Sequence, residues 1–148
     1  MPGSPDIDNI AYAVHIRTMP AEAAREARST PRAIDHDAVK RGFFRIMEAW
    51  GVRDSDAQVL LGRPSRSTFY AWKKGEGGKL SHDTLERVSY VLGIYKALQL
   101  LFSNPGQADA WMTKPNAAFG GQSALQHALG GRVVDLAHVR QYLDFVRG

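Results

Sequence analysis

The sequence predicts an all-α protein, and two observations carry the prediction. Apolar side chains recur at intervals of three and four over long segments, and glycine or proline punctuates the segment ends. No strand-like alternation longer than a few residues occurs anywhere in the 148 residues.

Taken in order, residues 1–34 hold Pro2, Pro5, Pro20 and Pro31, with "AEAAREAR" between two of them long enough for about two turns of helix. An N-terminal arm is expected there, partly disordered or a short helix. From Asp35 onward, Val39, Phe43, Ile46, Met47 and Trp50 mark one apolar helix face, and Gly51 ends it. Asp54 is placed to cap a short second helix through Ala57, Leu60 and Leu61, with Gly62 supplying a left-handed turn. Ser65 starts a third helix, which "KGEGGK" closes. Leu80-Ser81 opens a long fourth, in which Leu85, Val88, Leu92, Tyr95, Leu98, Leu101 and Phe102 keep helical spacing until Asn104-Pro105-Gly106 breaks it. Short helices joined by glycine turns follow. The final helix is expected from near Asp135, with Leu136, Val139, Leu143 and Val146 on one face and Tyr142 and Phe145 beside it. These breaks divide the chain into an arm (1–34), a helical unit (35–102) and a second helical unit (103–148).

The net charge of +4 is unevenly distributed. Four basic and five acidic residues in 1–36, eleven and seven in 37–102, and four and three in 103–148 place the positive excess in the middle. The absence of cysteine excludes disulfides and thiolate metal sites. Without an 18-residue apolar run, and with acids in "MPGSPDIDN" where a signal peptide would be basic, the chain reads as soluble and cytoplasmic, with no membrane partner. Catalytic signatures are also missing. His15, His36, His82, His127 and His138 fall in five different segments without HExxH spacing, and neither GxSxG nor a Gly-Lys-Ser/Thr phosphate loop occurs. No catalytic residue, metal site or cofactor is expected.

The run "GRPSRSTFYAWKKGEGGK", residues 62–79, holds five basic residues, one acid and three aromatics. A short helix, a glycine turn and a second helix are the parts of a helix-turn-helix, whose second helix enters the major groove while its inner face packs on its neighbours. Phe69 and Trp72 lie three apart and face the core in this reading, leaving Arg66, Tyr70 and Lys73 on another face flanked by Ser67 and Lys74. Arg66 suits a bidentate contact to guanine, Ser67 a base or phosphate, and Lys73, Lys74 and Lys79 suit phosphates, with Arg63 also counted among the DNA-binding residues. Ser65 would cap the helix, whose first N–H groups also favour a phosphate. A solvated basic helix is the plainer alternative.

This run resembles the Xre-type helix-turn-helix repressors. It departs from them at Gln58, where a small residue is usual, and at Pro64, which lengthens the turn. Further on, "LFSNPGQADAWMTKPNAAFGGQSALQHALGG" closely resembles the toxin-binding domain of the Xre/MbcA/ParS antitoxins. The matching positions are Leu101-Phe102, Ala110-Trp111, Pro115-Asn116, Phe119-Gly120-Gly121, Ser123, Leu129 and Gly131. Ala124 stands where that family usually has proline. The resemblance implies an Xre-like helix-turn-helix bundle followed by a small helical toxin-binding domain, in an antitoxin whose partner is a RES-domain, NAD-consuming toxin encoded in the same operon. It also implies neutralisation by covering the toxin's active site, and autorepression by a homodimer on an inverted-repeat operator.

The residues singled out for toxin binding are Trp111, Pro115, Asn116, Gly120, Gly121, Arg140, Tyr142, Asp144, Arg147 and Gly148. Trp111 and Phe119 would anchor the Pro-Gly-Gly loop, and core packing is the plainer role for that tryptophan. Arg140, Arg147 and the Gly148 carboxylate are expected to be mobile charges suited to a dinucleotide pocket. Without the resemblance, the same elements fit a plain helix-turn-helix repressor with a helical dimerisation domain, or an interaction module that has lost DNA binding.

Overall fold

The computed structural model describes residues 33–148, so the expected arm falls outside it except for its last two residues. Among the described residues there are seven α-helices, one 3-10 turn and no strand. Helix α1 spans His36–Trp50, α2 Asp54–Leu60, α3 Arg66–Lys73, α4 His82–Leu101, α5 Pro105–Trp111, α6 Ala124–Ala128 and α7 Val133–Arg147. The all-α expectation is met.

Local chemistry sets most boundaries. Asp35, Ser65, Ser81, Asn104 and Ser123 each accept a backbone N–H at the start of the helix that follows, satisfying donors that have no partner inside the helix. Two starts differ from expectation. Asp54 is not the cap of α2 but its first residue, behind an Arg53 whose side chain makes no cap bond. Helix α7 begins at Val133, two residues before Asp135, because the Asp135 carboxylate sits in the first turn and accepts the Arg132 N–H at 3.1 Å.

The core is continuous from Val39 to Leu143. Its axis is α4, which packs on α1, α5 and α7 at once. Val91, Leu92, Gly93 and Ile94 are therefore buried in succession, and Ala97 with them. Of the residues with helical spacing, Leu85, Tyr95, Leu101 and Phe102 are only half-buried. At Gly93 the Arg140 guanidinium from α7 comes so near that an added Cβ would lie 2.7 Å from Nη1. Helix α7 buries Asp135, Leu136, Val139 and Leu143. Val146, expected on that face, is 50% exposed and Phe145 is 82% exposed, because the last turn runs past the elements it packs on.

Two polar side chains of α1 hold the glycine loop after α3. The Lys40 ammonium, 2% exposed, donates to the carbonyls of Glu76 and Gly78 and pairs with Asp37 at 3.2 Å. His36 Nδ1 accepts the Leu80 N–H at 2.9 Å. Such a buried cation is tolerated because its hydrogen bonds are satisfied.

Candidate functional site

Helices α2 and α3 are joined by a turn with two left-handed residues, Gly62 (φ 90°) and Arg63 (φ 60°). Ala57 is buried on the α2 side of this turn, whereas Gln58 is half-buried. From the third helix, Phe69 and Trp72 enter the core as expected, and Phe69 meets Phe44 edge-on at 5.4 Å. Opposite them lies an exposed polar face.

On that face Ser65 caps α3, its Oγ accepting the Thr68 N–H at 3.2 Å and lying 3.3 Å from the Ser67 hydroxyl. Arg66 is exposed at the first position of the helix, its guanidinium 6.0 Å from the Tyr70 ring centre. Lys74 and Lys79 are exposed and have no ion pair among the described residues. Two cationic positions are drawn elsewhere. Lys73 is held by Asp54 through bonds of 2.8 and 3.1 Å, and the Tyr70 hydroxyl donates to the same carboxylate at 3.3 Å. Arg63 reaches across to the C-terminal unit, where a Cβ on Gly131 would come 2.7 Å from its Nη1. Arg87 of α4 donates to the Gly131 carbonyl at 2.9 Å, so the same loop meets two arginines.

The second cluster surrounds the loop after α5. Trp111 is half-buried and stacks on Tyr142 with centroids 6.2 Å apart and planes 14° apart. Phe119 meets Trp111 edge-on at 6.4 Å and Tyr142 at 5.4 Å. Loop residues then close on themselves. Pro115 bridges to Ser123, Asn116 Oδ1 accepts the Ala118 N–H at 2.9 Å, and the Asn116 carbonyl accepts the Gly121 N–H at 3.0 Å. Gly120 and Gly121 have φ of 65° and 85°, with nothing within 4 Å of an added Cβ, so backbone conformation rather than space selects glycine there.

Arg140 is not the mobile charge expected. It is only partly exposed, donates to the Gly93 carbonyl and pairs with Asp144 at 3.3 Å, so it ties α7 to α4. Arg147 lies 4.0 Å from the same carboxylate. Gly148 closes α7 with its N–H on the Phe145 carbonyl at 3.2 Å. Sequence reasoning missed Phe145 and Val146 as an exposed apolar pair, because helical spacing set them on or beside the packed face.

The structure also gathers two histidines that the sequence set in separate segments: His127 of α6 and His138 of α7 lie 3.3 Å apart, Nε2 to Nδ1. Nearby, Asp135 is held below the usual carboxylate range, first by its hydrogen bonds from the Arg132 side chain at 2.8 and 3.2 Å. Burial lifts the Tyr95 hydroxyl above its ordinary value. Among the described residues no helix is long and apolar enough to cross a membrane.

Two family models match this chain. Residues 31–93 match the antitoxin Xre-like helix-turn-helix domain, and residues 97–148 match the antitoxin Xre/MbcA/ParS C-terminal toxin-binding domain. A protein of Sinorhizobium fredii (strain NBRC 101917 / NGR234), named "Uncharacterized protein y4oB", is 53% identical over 106 residues, covering 72% of this chain and 81% of that protein. The helix-turn-helix ahead of the aromatic-glycine loop thus has the domain order of an antitoxin, and the chain belongs to the Xre-type antitoxins, proteins that bind a toxin and are not enzymes.

Proposed function

We propose that this antitoxin neutralises a RES-domain, NAD-consuming toxin from its own operon by covering the toxin's active-site pocket with the last turn of α7. The observation that carries this reading is the exposed pair Phe145 and Val146, flanked by Asp144 and Arg147. An apolar tip set among charges is the composition of a contact centre with a polar rim. A chain truncated before Asp144 keeps the buried Leu143 and folds, yet fails to stop NAD consumption by the toxin. Undiminished neutralisation by the truncated chain would end the occlusion reading.

The same chain represses its operon through α3, with Arg66 and Ser67 at base edges and Lys74 and Lys79 at phosphates. A homodimer on an inverted repeat fits this role, since half-sites about 34–36 Å apart require two reading helices. Retardation of the chain's own promoter fragment, competed by unlabelled operator but not by unrelated DNA, tests repression; equal competition by both would refute it.

A further inference from the structure

Helices α6 and α7 assemble a cluster that neither proposed surface uses. His127 lies on α6, and Asp135 and His138 are three residues apart on α7, which puts them on one face of that helix. One ligand atom from each of the three lies within 4.8 Å of the other two. The separation of the ring nitrogens is informative. Two imidazole nitrogens bound tetrahedrally to one zinc ion, each at about 2.0–2.1 Å, stand about 3.3–3.4 Å apart. His127 Nε2 and His138 Nδ1 share a hydrogen bond and are already 3.3 Å apart, so an ion that displaced the shared proton would need little movement of the two nitrogens.

The surroundings hold these groups in place. The His127 ring packs against Phe119 at 5.0 Å, which fixes its direction from the loop side. Asp135 is 2% exposed and accepts the Arg132 backbone N–H and two bonds from the Arg132 side chain, so its carboxylate is oriented and ionised. The rest of the Arg132 side chain is exposed, leaving it free to swing away from one carboxylate oxygen.

We propose that His127, Asp135 and His138 form a binding site for a divalent transition metal, joining α6 to α7 beside the aromatic-glycine loop. Two imidazoles with one carboxylate, and no thiolate, suit zinc and its neighbours cobalt, nickel and copper rather than magnesium or calcium. Three protein ligands leave a fourth tetrahedral position for water.

The test uses the full metal-free chain and zinc chloride, titrated against a chromophoric chelator. One ion binds per chain, and at saturation the ring carbon–proton signals of His127 and His138 shift while those of His15, His36 and His82 stay in place. His138→Ala and His127→Asn each weaken zinc binding by about tenfold or more. Zinc raises the melting temperature of the wild type more than that of His138→Ala. Because His138 is exposed, its replacement leaves the metal-free fold unchanged. Signals of His127 and His138 that stay still at saturating zinc, or wild-type affinity in His138→Ala, would overturn the site. The wild-type spectrum decides the matter even if His127→Asn fails to fold.

Discussion

On α3 the polar side chains of the outer face are mostly directed to solvent, whereas the polar groups of the loop 113–123 mostly close on the loop itself. Arg66 is exposed on a helix fixed from behind by Phe69 and Trp72, and Lys74 at its C-terminal cap and Lys79 in the glycine loop after it are exposed as well. Asn116 instead satisfies the Ala118 and Gly121 N–H groups, and the glycines supply left-handed backbone. The two regions therefore fail in different ways. Changing the outer face of α3 alters what is touched without altering shape, while changing the loop alters shape before any contact is reached. A loop variant that loses toxin binding therefore does not identify a contact.

The largest effect is expected at Trp111→Ala, which removes the ring packed against both Tyr142 and Phe119 and costs about 3 kcal/mol, at the low end for a large aromatic because it is half-buried. Chemical denaturation measures it, and a change under about 1 kcal/mol would mean that the tryptophan serves a partner rather than the fold. Next, Arg66→Ala leaves stability intact and relaxes operator preference at one base position, by about 1–3 kcal/mol in a binding-site selection. Loss spread evenly over all sequences would instead place Arg66 on phosphate. Lys74→Ala produces that even loss and lowers the salt slope of binding by about one. The smallest effect comes from Asp54→Ala. It releases Lys73 and Tyr70 from their shared carboxylate, so DNA binding tightens slightly and its salt slope steepens by about 0.9 if Lys73 then meets a phosphate. An unchanged slope would take Lys73 off the interface.

What the sequence made legible follows the range of the forces involved. Helical spacing and caps act within one turn, so α1, α3 and α4 were readable from Val39, Ser65 and Ser81 and their neighbours. The loop signature was readable because Pro115 and Gly120-Gly121 are conformational requirements. Contacts between distant segments were not readable. Nothing near Lys40 announces that its ammonium serves carbonyls 36 and 38 residues away, and Arg140 meets Gly93 across 47 residues. The same limit separated His127 from His138, which are joined only by the turn between α6 and α7. Spacing also misplaced Val146 and Phe145, because a periodic face says nothing about where its packing partners stop.

If the aromatic-glycine loop is scaffold and the last turn of α7 makes the toxin contact, the two can be separated by one substitution. Phe145→Asp alters a side chain that is 82% exposed, so it leaves the melting temperature within error of wild type. Its affinity for the toxin, measured by titration calorimetry, should fall by about a hundredfold, the loss expected of a central aromatic contact. Wild-type affinity in a folded Phe145→Asp chain would contradict the account and return the contact to the loop.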